Sequence, residues 1–567
     1  MTSATCNLVD TSRPFKSRPD IVIPHLNVTL HNPSLVNPGF YFLAPFKSYV
    51  STPMIFDSKG ELVWAGSDAY AGTEGAGAHV YDFHTCDFQG LPHLCMLRGF
   101  NDQGNARGQG IILDSHYQPV KHVSGGGHTT SCDLHEFTTA ESGTTSLITQ
   151  YRRRLYDLSG HVESRGMIWI LEGVFQEIEI DSGRVLFEWR SLDHIDPAES
   201  QVQPGQGTRT APWDYVHLNS VEKMPDGNYL VSARHTSTIF KVSSRDGSII
   251  WRLGGSNSTF GPIEPAILFQ HHARVLVDDA DTTRISLFDN ARRPAFKPER
   301  PSSGLIVLLD HRTKTAHIEK RYSGPGIEYT SKIAGSTLVL PNGNVLVGFG
   351  DAACFTEYTS DGIPGFKACV RDNSLGTLYR VYKSSWVGAP LNTVALVSFS
   401  QTPASLTAFH VSWNGATEVK SWRVYGALHP DGPFSQITQV PKKGFETTIT
   451  TEDHYVKAYV EAISSTDKVL GKSDVVTTFV PSKAAGIRCD DIWCAEPLHC
   501  LVPGRVTTTT AATKTSHPKL LQVADGLQHI PFFQALLLNF VVTLILVISV
   551  GLVRKRTAFK RCLGRIF

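Results

Sequence analysis

The sequence lacks the features that mark several protein classes. Its 53 Lys and Arg balance 52 Asp and Glu, for a net charge of +1, so it has no basic surplus of the kind that nucleic-acid-binding proteins concentrate on one face. Ten cysteines in 567 residues are too few for a disulfide-stapled miniprotein. No HExxH or DxDxDG spacing supports a metal-dependent or calcium-dependent hydrolase. We expect no bound metal, no cofactor and no nucleic-acid partner.

Helical periodicity over three or more turns is missing between about Pro24 and Val387. Short alternating strands surround Gly-containing turns there, as at Ser58-Lys59-Gly60, Pro225-Asp226-Gly227 and Pro341-Asn342-Gly343. Repeated hairpins of this kind predict a β-propeller, whose closed ring protects most sheet edges. At roughly 45–60 residues per blade the length allows six to eight blades, and we predict six. A β-sandwich of the same length is the alternative.

The sequence after the predicted propeller indicates further domains and segments. Seven or so short strands after about Pro390 fit a fibronectin-III-like or Ig-like β-sandwich. The predicted fold is therefore all-β, with one C-terminal transmembrane helix. The predicted divisions are an N-terminal segment (1–20), the propeller (21–387), the sandwich (388–482), a Cys-containing and Thr-rich stalk (483–531), the transmembrane helix (532–553) and a basic tail (554–567).

Residues 532–553 are 22 uncharged positions, about 33 Å as a helix, which is enough to span a bilayer core. Basic residues follow directly, beginning at Arg554, so the positive-inside rule predicts a single-pass protein with a cytoplasmic tail and a lumenal or extracellular bulk. The sequons at Asn27 and Asn257 predict glycosylation.

The first twenty residues lack the apolar core of a signal peptide. Two explanations stay open: an incorrectly assigned start, or a tail-anchored chain with its bulk in the cytoplasm. We favour the first, because sequons and a Thr-rich stalk have no use in the cytoplasm.

Two cysteine pairs, Cys86 with Cys95 and Cys354 with Cys369, each flank a possible hairpin. They are candidate disulfides, and only geometry decides between them and other pairings. Cys489, Cys494 and Cys500 lie close together in the stalk. One local disulfide with a third cysteine pairing elsewhere is favoured over zinc there, because no histidine pattern completes a metal site.

Four polar, histidine-containing segments stand at the ends of predicted strands. They are Asp133–Phe137, Trp213–Ser220, Ser232–His235 and Phe269–Arg274. Inner strands of a propeller face one channel, so we expect these distant segments to converge. Several histidines with an arginine would form a site for a tetrahedral anion, sulfate or phosphate. For each histidine taken alone, a structural role is the alternative.

These segments also carry a family resemblance. HLNS (217–220), SARH (232–235), QHHAR (270–274) and SLFDN (286–290) resemble the arylsulfotransferase (aryl sulfate sulfotransferase-like) family in its fungal branch, and the resemblance covers most of residues 15–385. It implies a β-propeller that moves a sulfuryl group between small phenolic compounds, with an aryl sulfate and not a nucleotide as donor. It further implies a sulfohistidine intermediate formed by a nucleophilic histidine.

The resemblance also implies residue roles by position in the motifs. The catalytic candidates are His271 as nucleophile, His217 and Arg234 as groups that hold sulfuryl oxygens, and His135 as a second acid/base or oxygen ligand. The candidates for substrate binding are Asn219, which braces the site, and His235, His272 and Arg274. His272 stands where we expect Asp in the fungal relatives, and this difference would alter the orientation or the pKa of His271.

Two other functions stay open. The propeller is also compatible with other small-molecule chemistry on aromatic secondary metabolites. A propeller, sandwich, stalk and single span are equally typical of a non-catalytic cell-surface binding protein. An enzyme needs His135, His217, Arg234 and His271 to converge within about 8 Å of one another, and a binding protein does not.

Overall fold

The computed structural model describes residues 15–47, 51–66, 78–102, 104–127, 130–160, 166–292, 300–323, 329–371 and 376–481. Within these ranges the regular elements are strands and four short 3-10 helices, without an α-helix. The 3-10 helices are Glu141–Gly143, Ser191–Asp193, Pro197–Glu199 and Gly350–Ala352. The all-β prediction is therefore confirmed for this part of the chain.

Six sheets of four or five strands follow one another between His25 and Ser384, and all their pairings are antiparallel except that of Trp213–Asp214. Sheet 1 contains Phe40–Leu43, Met54–Phe56, Leu62–Ala65 and Tyr382–Ser384, and sheet 2 contains His79–Phe88, Leu91–Asp102, Asn105–Leu113 and Pro119–Val123. Sheet 3 contains Phe137–Ala140, Thr145–Asp157, Met167–Glu179, Val185–Arg190 and Trp213–Asp214. Sheet 4 contains Leu218–Lys223, Tyr229–Ala233, Thr238–Val242 and Ile249–Gly254.

The remaining two sheets complete the series. Sheet 5 contains His271–Asp278, Thr282–Asp289, Ser303–Asp310 and Thr315–Tyr322, and sheet 6 contains Ser336–Val339, Val345–Phe349, Cys354–Tyr358, Pro364–Arg371 and His25–His31. The short strands Pro45–Phe46 and Thr377–Leu378 pair separately.

Each sheet packs on the next through its own buried hydrophobic cluster, and a further cluster joins sheet 6 to sheet 1. Successive side chains of a strand point to opposite faces. In sheet 4, Val231 and Phe240 accordingly pack against sheet 3, whereas Leu230 and Ile239 pack against sheet 5. The sheets thus form a closed, propeller-like ring, as the hairpin pattern predicts.

The two ends of the ring segment meet within single sheets. Phe40–Leu43 pairs with Tyr382–Ser384 in sheet 1, so one sheet combines strands from both ends of this part of the chain. His25–His31 adds an edge strand to Pro364–Arg371 in sheet 6. Backbone hydrogen bonds therefore close the ring at two places.

Both candidate disulfides are present, Cys86–Cys95 in sheet 2 and Cys354–Cys369 in sheet 6. Cys354 and Cys369 stand directly opposite each other on neighbouring strands. The pairing predicted from the hairpins is confirmed. Cys489, Cys494 and Cys500 lie outside the described residues.

After the ring, two sheets pack face to face around Phe409, Trp422 and Val460. The first sheet contains Ala395–Ser400, Thr407–Ser412 and Glu446–Thr450. The second contains Ser421–Ala427, Ser435–Pro441, Lys457–Ile463, Val469–Lys472 and Val476–Thr477.

These two sheets are hydrogen-bonded to the ring. The Asn414 side chain makes two 2.9 Å hydrogen bonds to the backbone of Ala65. The Tyr117 hydroxyl donates to the carbonyl of Gly415 at 2.7 Å.

Several predictions fall on other parts of the chain. The predicted stalk from residue 483 onward, the transmembrane helix (532–553) and the basic tail lie outside the described residues. In the portion that the structure does describe, no helix has the length and apolar character needed to cross a membrane. Asn257 is exposed in a loop, and Asn27 is half-buried on the edge strand of sheet 6.

Candidate active site

His135 and His217 each form a short hydrogen bond to an aspartate a few residues earlier in the sequence. The Nδ1–H of His135 donates to Asp133 Oδ2, and the Nδ1–H of His217 donates to Asp214 Oδ2, both at 2.5 Å. In a neutral imidazole whose Nδ1 carries the proton, Nε2 carries the lone pair. Each aspartate therefore fixes the tautomer and the orientation of its histidine.

His271 is oriented by an amide group. The Nδ2 of Asn290 donates to the carbonyls of Ser331 and Ala334, both at 3.0 Å. The oxygen of this amide therefore faces His271 and accepts from its Nδ1–H at 2.7 Å. His271 consequently presents an unprotonated Nε2, which is the nitrogen that a nucleophile or a base needs.

The imidazole rings form a cluster with His217 at its centre. The His217 ring centroid lies 4.6 Å from that of His135 and 4.6 Å from that of His235. The Nδ1–H of His235 donates to the Asp214 carbonyl at 2.6 Å, and its Nε2 accepts from Arg234 at 2.7 Å. Because both nitrogens of His235 are engaged, its observed role is to hold Arg234.

Arg234 places a buried cation beside these rings. Besides the bond to His235, it donates to the Lys332 carbonyl at 3.0 Å, and its guanidinium lies 4.9 Å from the Phe269 ring centroid. Burial lowers the pKa of Arg234 to about 10, so the group stays charged at neutral pH. Arg234 supplies the fixed positive charge that an anionic group requires.

The segment before His271 is tied to sheet 4. Asn219 Nδ2 donates to the Gln270 carbonyl at 2.6 Å. The Gln270 amide in turn donates to Ser232, Ala233 and Thr238. The structure thus places Asn219 as a support of the strand that carries His271.

His272 and Arg274 lie apart from the cluster. The His272 Nδ1 contacts the backbone of Thr337, and its ring centroid lies 5.8 Å from that of Tyr382. Arg274 donates to Glu136 at 2.9 and 3.0 Å. Both residues join a second buried group, which we call the axial network: Asp82, Glu136, His272, Arg274, Arg380 and Tyr382.

Three residues at the site have a left-handed backbone. The φ angles of His217, Phe269 and His272 are +52°, +55° and +54°. Such angles cost about 1–3 kcal/mol for a residue with a side chain and concentrate at functional sites. His217 directly precedes the strand Leu218–Lys223. Phe269 lies two residues before the strand His271–Asp278, and His272 is the second residue of that strand.

Burial keeps three imidazoles of the cluster neutral in the resting state, those of His217, His235 and His271. Burial, reinforced by the charge of Arg234, lowers the pKa of His271 well below its ordinary value. Burial, reinforced by His135 and Arg234, does the same to the pKa of His217. The pKa of His235 is lowered to about 3, again mainly by burial. His217, His235 and His271 are therefore neutral rings next to one charged guanidinium.

This arrangement predicts that acid destabilises the fold. Eight of the described histidines have a lowered pKa in the folded state. Four belong to the site and the neighbouring axial network, His217, His235, His271 and His272, and four lie elsewhere, His79, His194, His311 and His410. Below about pH 6.5 the unfolded chain takes up protons that the folded chain does not bind, so stability falls as the pH falls. Glu222, whose pKa burial raises to about 7, acts in the opposite direction. Between pH 7.5 and 5.5 the four histidines of the site and Glu222 together should decrease the free energy of unfolding by on the order of 4 kcal/mol, and the other four histidines add to this decrease.

Denaturant titrations at both pH values measure this difference. A His272→Asn variant should remove about 1.4 kcal/mol of this difference, the contribution of one histidine that stays neutral in the folded state. Equal stability at pH 7.5 and 5.5 would contradict the neutral state of the cluster.

One set of metal-ligating groups occurs among the described residues. Ligand atoms of Asp214, His217 and His235 lie within 4.8 Å of one another. However, the guanidinium of Arg234 is hydrogen-bonded to His235, and its charge opposes a cation there. The donor set therefore fits a metal poorly.

Sequence reasoning did not single out four residues that complete the site: Asp133, Asp214, Asn290 and Tyr151. The Tyr151 ring lies 6.0 Å from His135 and 6.1 Å from His217. The two aspartates and the asparagine were visible within the DLHEF, WDYVHLNS and SLFDN segments. Tyr151 had no such signal, because it lies in the middle of a long strand.

A cleft of about 730 Å³ borders the cluster at Asp133, Tyr151 and Asp214. This volume lies within the usual range for small-molecule sites. Buried histidines of fixed tautomer, a buried guanidinium and an adjacent cleft together suit group transfer to or from an anionic substrate.

Comparison with protein families identifies one relationship. Residues 96–371 match the family described as Arylsulfotransferase (ASST). All the clustered residues lie inside this range, so the arylsulfotransferase resemblance is confirmed for it, while the fungal branch stays a prediction. The match supports a transferase in general. No curated protein matches the chain.

Solved structures give distant likenesses. A protein of unknown function from Bacteroides caccae is 11% identical, with a TM-score of 0.36, over 61% of this chain and 99% of that chain. A sucrose-6-phosphate hydrolase from Lactobacillus gasseri is 11% identical, with a TM-score of 0.27, over 71% of this chain and 86% of that chain. Scores this low say nothing about function.

Proposed function

We propose that the chain is a membrane-anchored arylsulfotransferase-like enzyme that moves a sulfuryl group between phenolic compounds through a sulfohistidine at His271. One observation carries the proposal. Three histidines whose Nδ1 protons are all held by acceptors gather beside the buried guanidinium of Arg234, inside the range that matches the family. A protein that only binds has no need for this set of fixed tautomers.

In the first half-reaction, Nε2 of His271 attacks the sulfur of an aryl sulfate. The N–S bond forms, the S–O bond to the ring breaks, and the phenoxide leaves with the electron pair. The Nδ1 proton remains on the hydrogen bond to Asn290. Arg234 stabilises the negative charge on the sulfuryl oxygens and the leaving oxygen.

In the second half-reaction, a phenol replaces the first one. Nε2 of His217 or His135 takes the phenol's proton, and the paired aspartate stabilises the imidazolium that forms. The phenol oxygen then attacks sulfur, and the electron pair of the N–S bond returns to His271. We expected His217 to hold a sulfuryl oxygen. With its lone pair on Nε2, a neutral His217 is better suited to act as a base.

The proposal includes the parts outside the ring. We propose that the sandwich is of the fibronectin-III type, that residues 532–553 anchor the chain, and that its bulk is lumenal or extracellular. The two face-to-face sheets between Ala395 and Thr477 and the exposure of the Asn257 sequon support these parts.

Trapping of the intermediate tests the proposal. The full chain is incubated with an aryl sulfate radiolabelled on sulfur, without an acceptor. We expect an acid-labile label on the peptide that contains His271, and release of that label as a new aryl sulfate when a phenol is added. Heat-unfolded protein is the control for non-specific labelling. No label, or a label on a different residue, would contradict the assigned nucleophile.

A further inference from the structure

The cleft beside the histidine cluster is divided by charge. Its carboxylates, Asp133 and Asp214, stand at the cluster and are hydrogen-bonded to His135 and His217. The other ionic groups that line it are all arginines: Arg107, Arg152, Arg153, Arg154 and Arg209. One end of the cleft thus carries the reactive groups and the remainder carries guanidinium groups.

The strand Thr145–Asp157 gives the distance between the two ends. Tyr151 borders the cluster, and Arg153 and Arg154 follow it on the same strand. Leu155, four positions beyond Tyr151, pairs with Trp169 of the neighbouring strand. At about 3.3 Å per residue, Trp169 lies roughly 13 Å along the strand from Tyr151. This span exceeds the length of a single phenyl ring.

Arg209 is the arginine best placed to bind a ligand. Its guanidinium lies 5.6 Å from the Trp169 ring centroid, and its side chain is exposed. By contrast, Arg152 is paired with Glu188 at 2.7 Å, and Arg154 is paired with Glu172 at 3.0 Å. Arg209 makes no ion pair with any residue in the described ranges. The Trp169 ring holds this cation at the cleft without neutralising it.

We propose that the cleft selects aryl substrates that carry a carboxylate on the side of the ring opposite the reacting oxygen, and that Arg209 binds this carboxylate. The inference rests on the proposed function for the position of the reacting group. Arg234 holds the sulfuryl end, and a guanidinium fork at the other end matches a carboxylate. With this second contact, both ends of the substrate are bound. Phenyl sulfate has no second charged group, so only its sulfuryl end is held.

The test compares phenyl sulfate with 4-carboxyphenyl sulfate on the full chain. Calorimetry with the His271→Asn variant, which forms no sulfohistidine, measures the Kd of each ligand, and phenol release from the unchanged chain in the presence of an acceptor measures turnover. We expect the carboxylated ligand to bind about tenfold more tightly. Arg209→Ala should abolish that preference and leave the Kd of phenyl sulfate within about twofold. Arg209→Lys should retain part of it.

Arg245→Ala is the matched control, because Arg245 is also exposed but lies in a turn of sheet 4 away from the cleft. Equal affinities for the two ligands, no binding of the carboxylated ligand, or an equal loss for both ligands in Arg209→Ala would overturn the inference. A carboxylate preference without turnover would overturn the proposed function alone. Turnover without a carboxylate preference would overturn this inference alone.

Discussion

His271→Asn should lower the rate of sulfuryl transfer at least about 1,000-fold while the protein stays folded. The asparagine amide still reaches Asn290 with an N–H donor, in place of the Nδ1–H of His271. It has no counterpart of Nε2, so no nucleophile remains. Initial rates of phenol release from an aryl sulfate, with a phenol as acceptor, measure the effect.

His311→Asn provides the matched control for this substitution. His311 lies in the turn after the strand Ser303–Asp310 of sheet 5, and its Nε2 is hydrogen-bonded to Thr283 on a neighbouring strand. Its activity should stay within about twofold of that of the unchanged protein. If His271→Asn retained a tenth of the activity or more, the chemistry would not depend on this residue.

Arg380→Met should destabilise the ring by about 3–5 kcal/mol or prevent folding. The Arg380 guanidinium donates to both carboxylate oxygens of Asp82, to Glu136 and to the carbonyls of His135 and Asn219. All three ionic side chains are almost fully buried. Removal of the arginine leaves two buried carboxylates with less compensation, and this cost exceeds that of the lost contacts themselves.

Thermal and denaturant unfolding measure this effect against Arg284→Met. Arg284 forms a bidentate pair with Glu319 on the surface of sheet 5, and 43% of its side chain is exposed. Loss of an exposed pair of this kind should cost at most about 1 kcal/mol. An Arg380→Met variant as stable as Arg284→Met would show that the axial network does not hold the ring together.

The ring was predictable because its signal is local. Each hairpin combines alternating apolar residues with a turn, and Gly227 and Gly343 adopt the positive φ, +83° and +85°, that these turns require. The ring geometry predicts that the histidine-bearing strand ends lie near one another, and the ring centroids of His135 and His217 are 4.6 Å apart.

The different surroundings of His271 and His272 were harder to predict from the sequence. Both residues stand in the same motif, and the alternation of a strand sends them to different sides. The bend at His272, φ +54°, and its hydrogen-bonded position against Thr337 depend on a strand 65 residues away. A single sequence does not show that contact.

The axial network left no local signature. Asp82 and Arg380 are 298 positions apart, and Glu136 and Arg380 are 244 positions apart. In the sequence each reads as an ordinary charged residue near a strand. Only the assembled ring shows that they compensate one another.

The pairing of Phe40–Leu43 with Tyr382–Ser384 in sheet 1 has a consequence for folding during synthesis. Phe40–Leu43 pairs early with Met54–Phe56 but lacks its second partner until Tyr382–Ser384 has left the ribosome. At roughly 5–20 residues per second, Phe40–Leu43 waits about 20–70 seconds for this second partner. Arg380, which holds the carbonyls of His135 and Asn219, arrives just before that partner. The backbone that carries His135 and Asn219 therefore gains this support only at the end of ring synthesis.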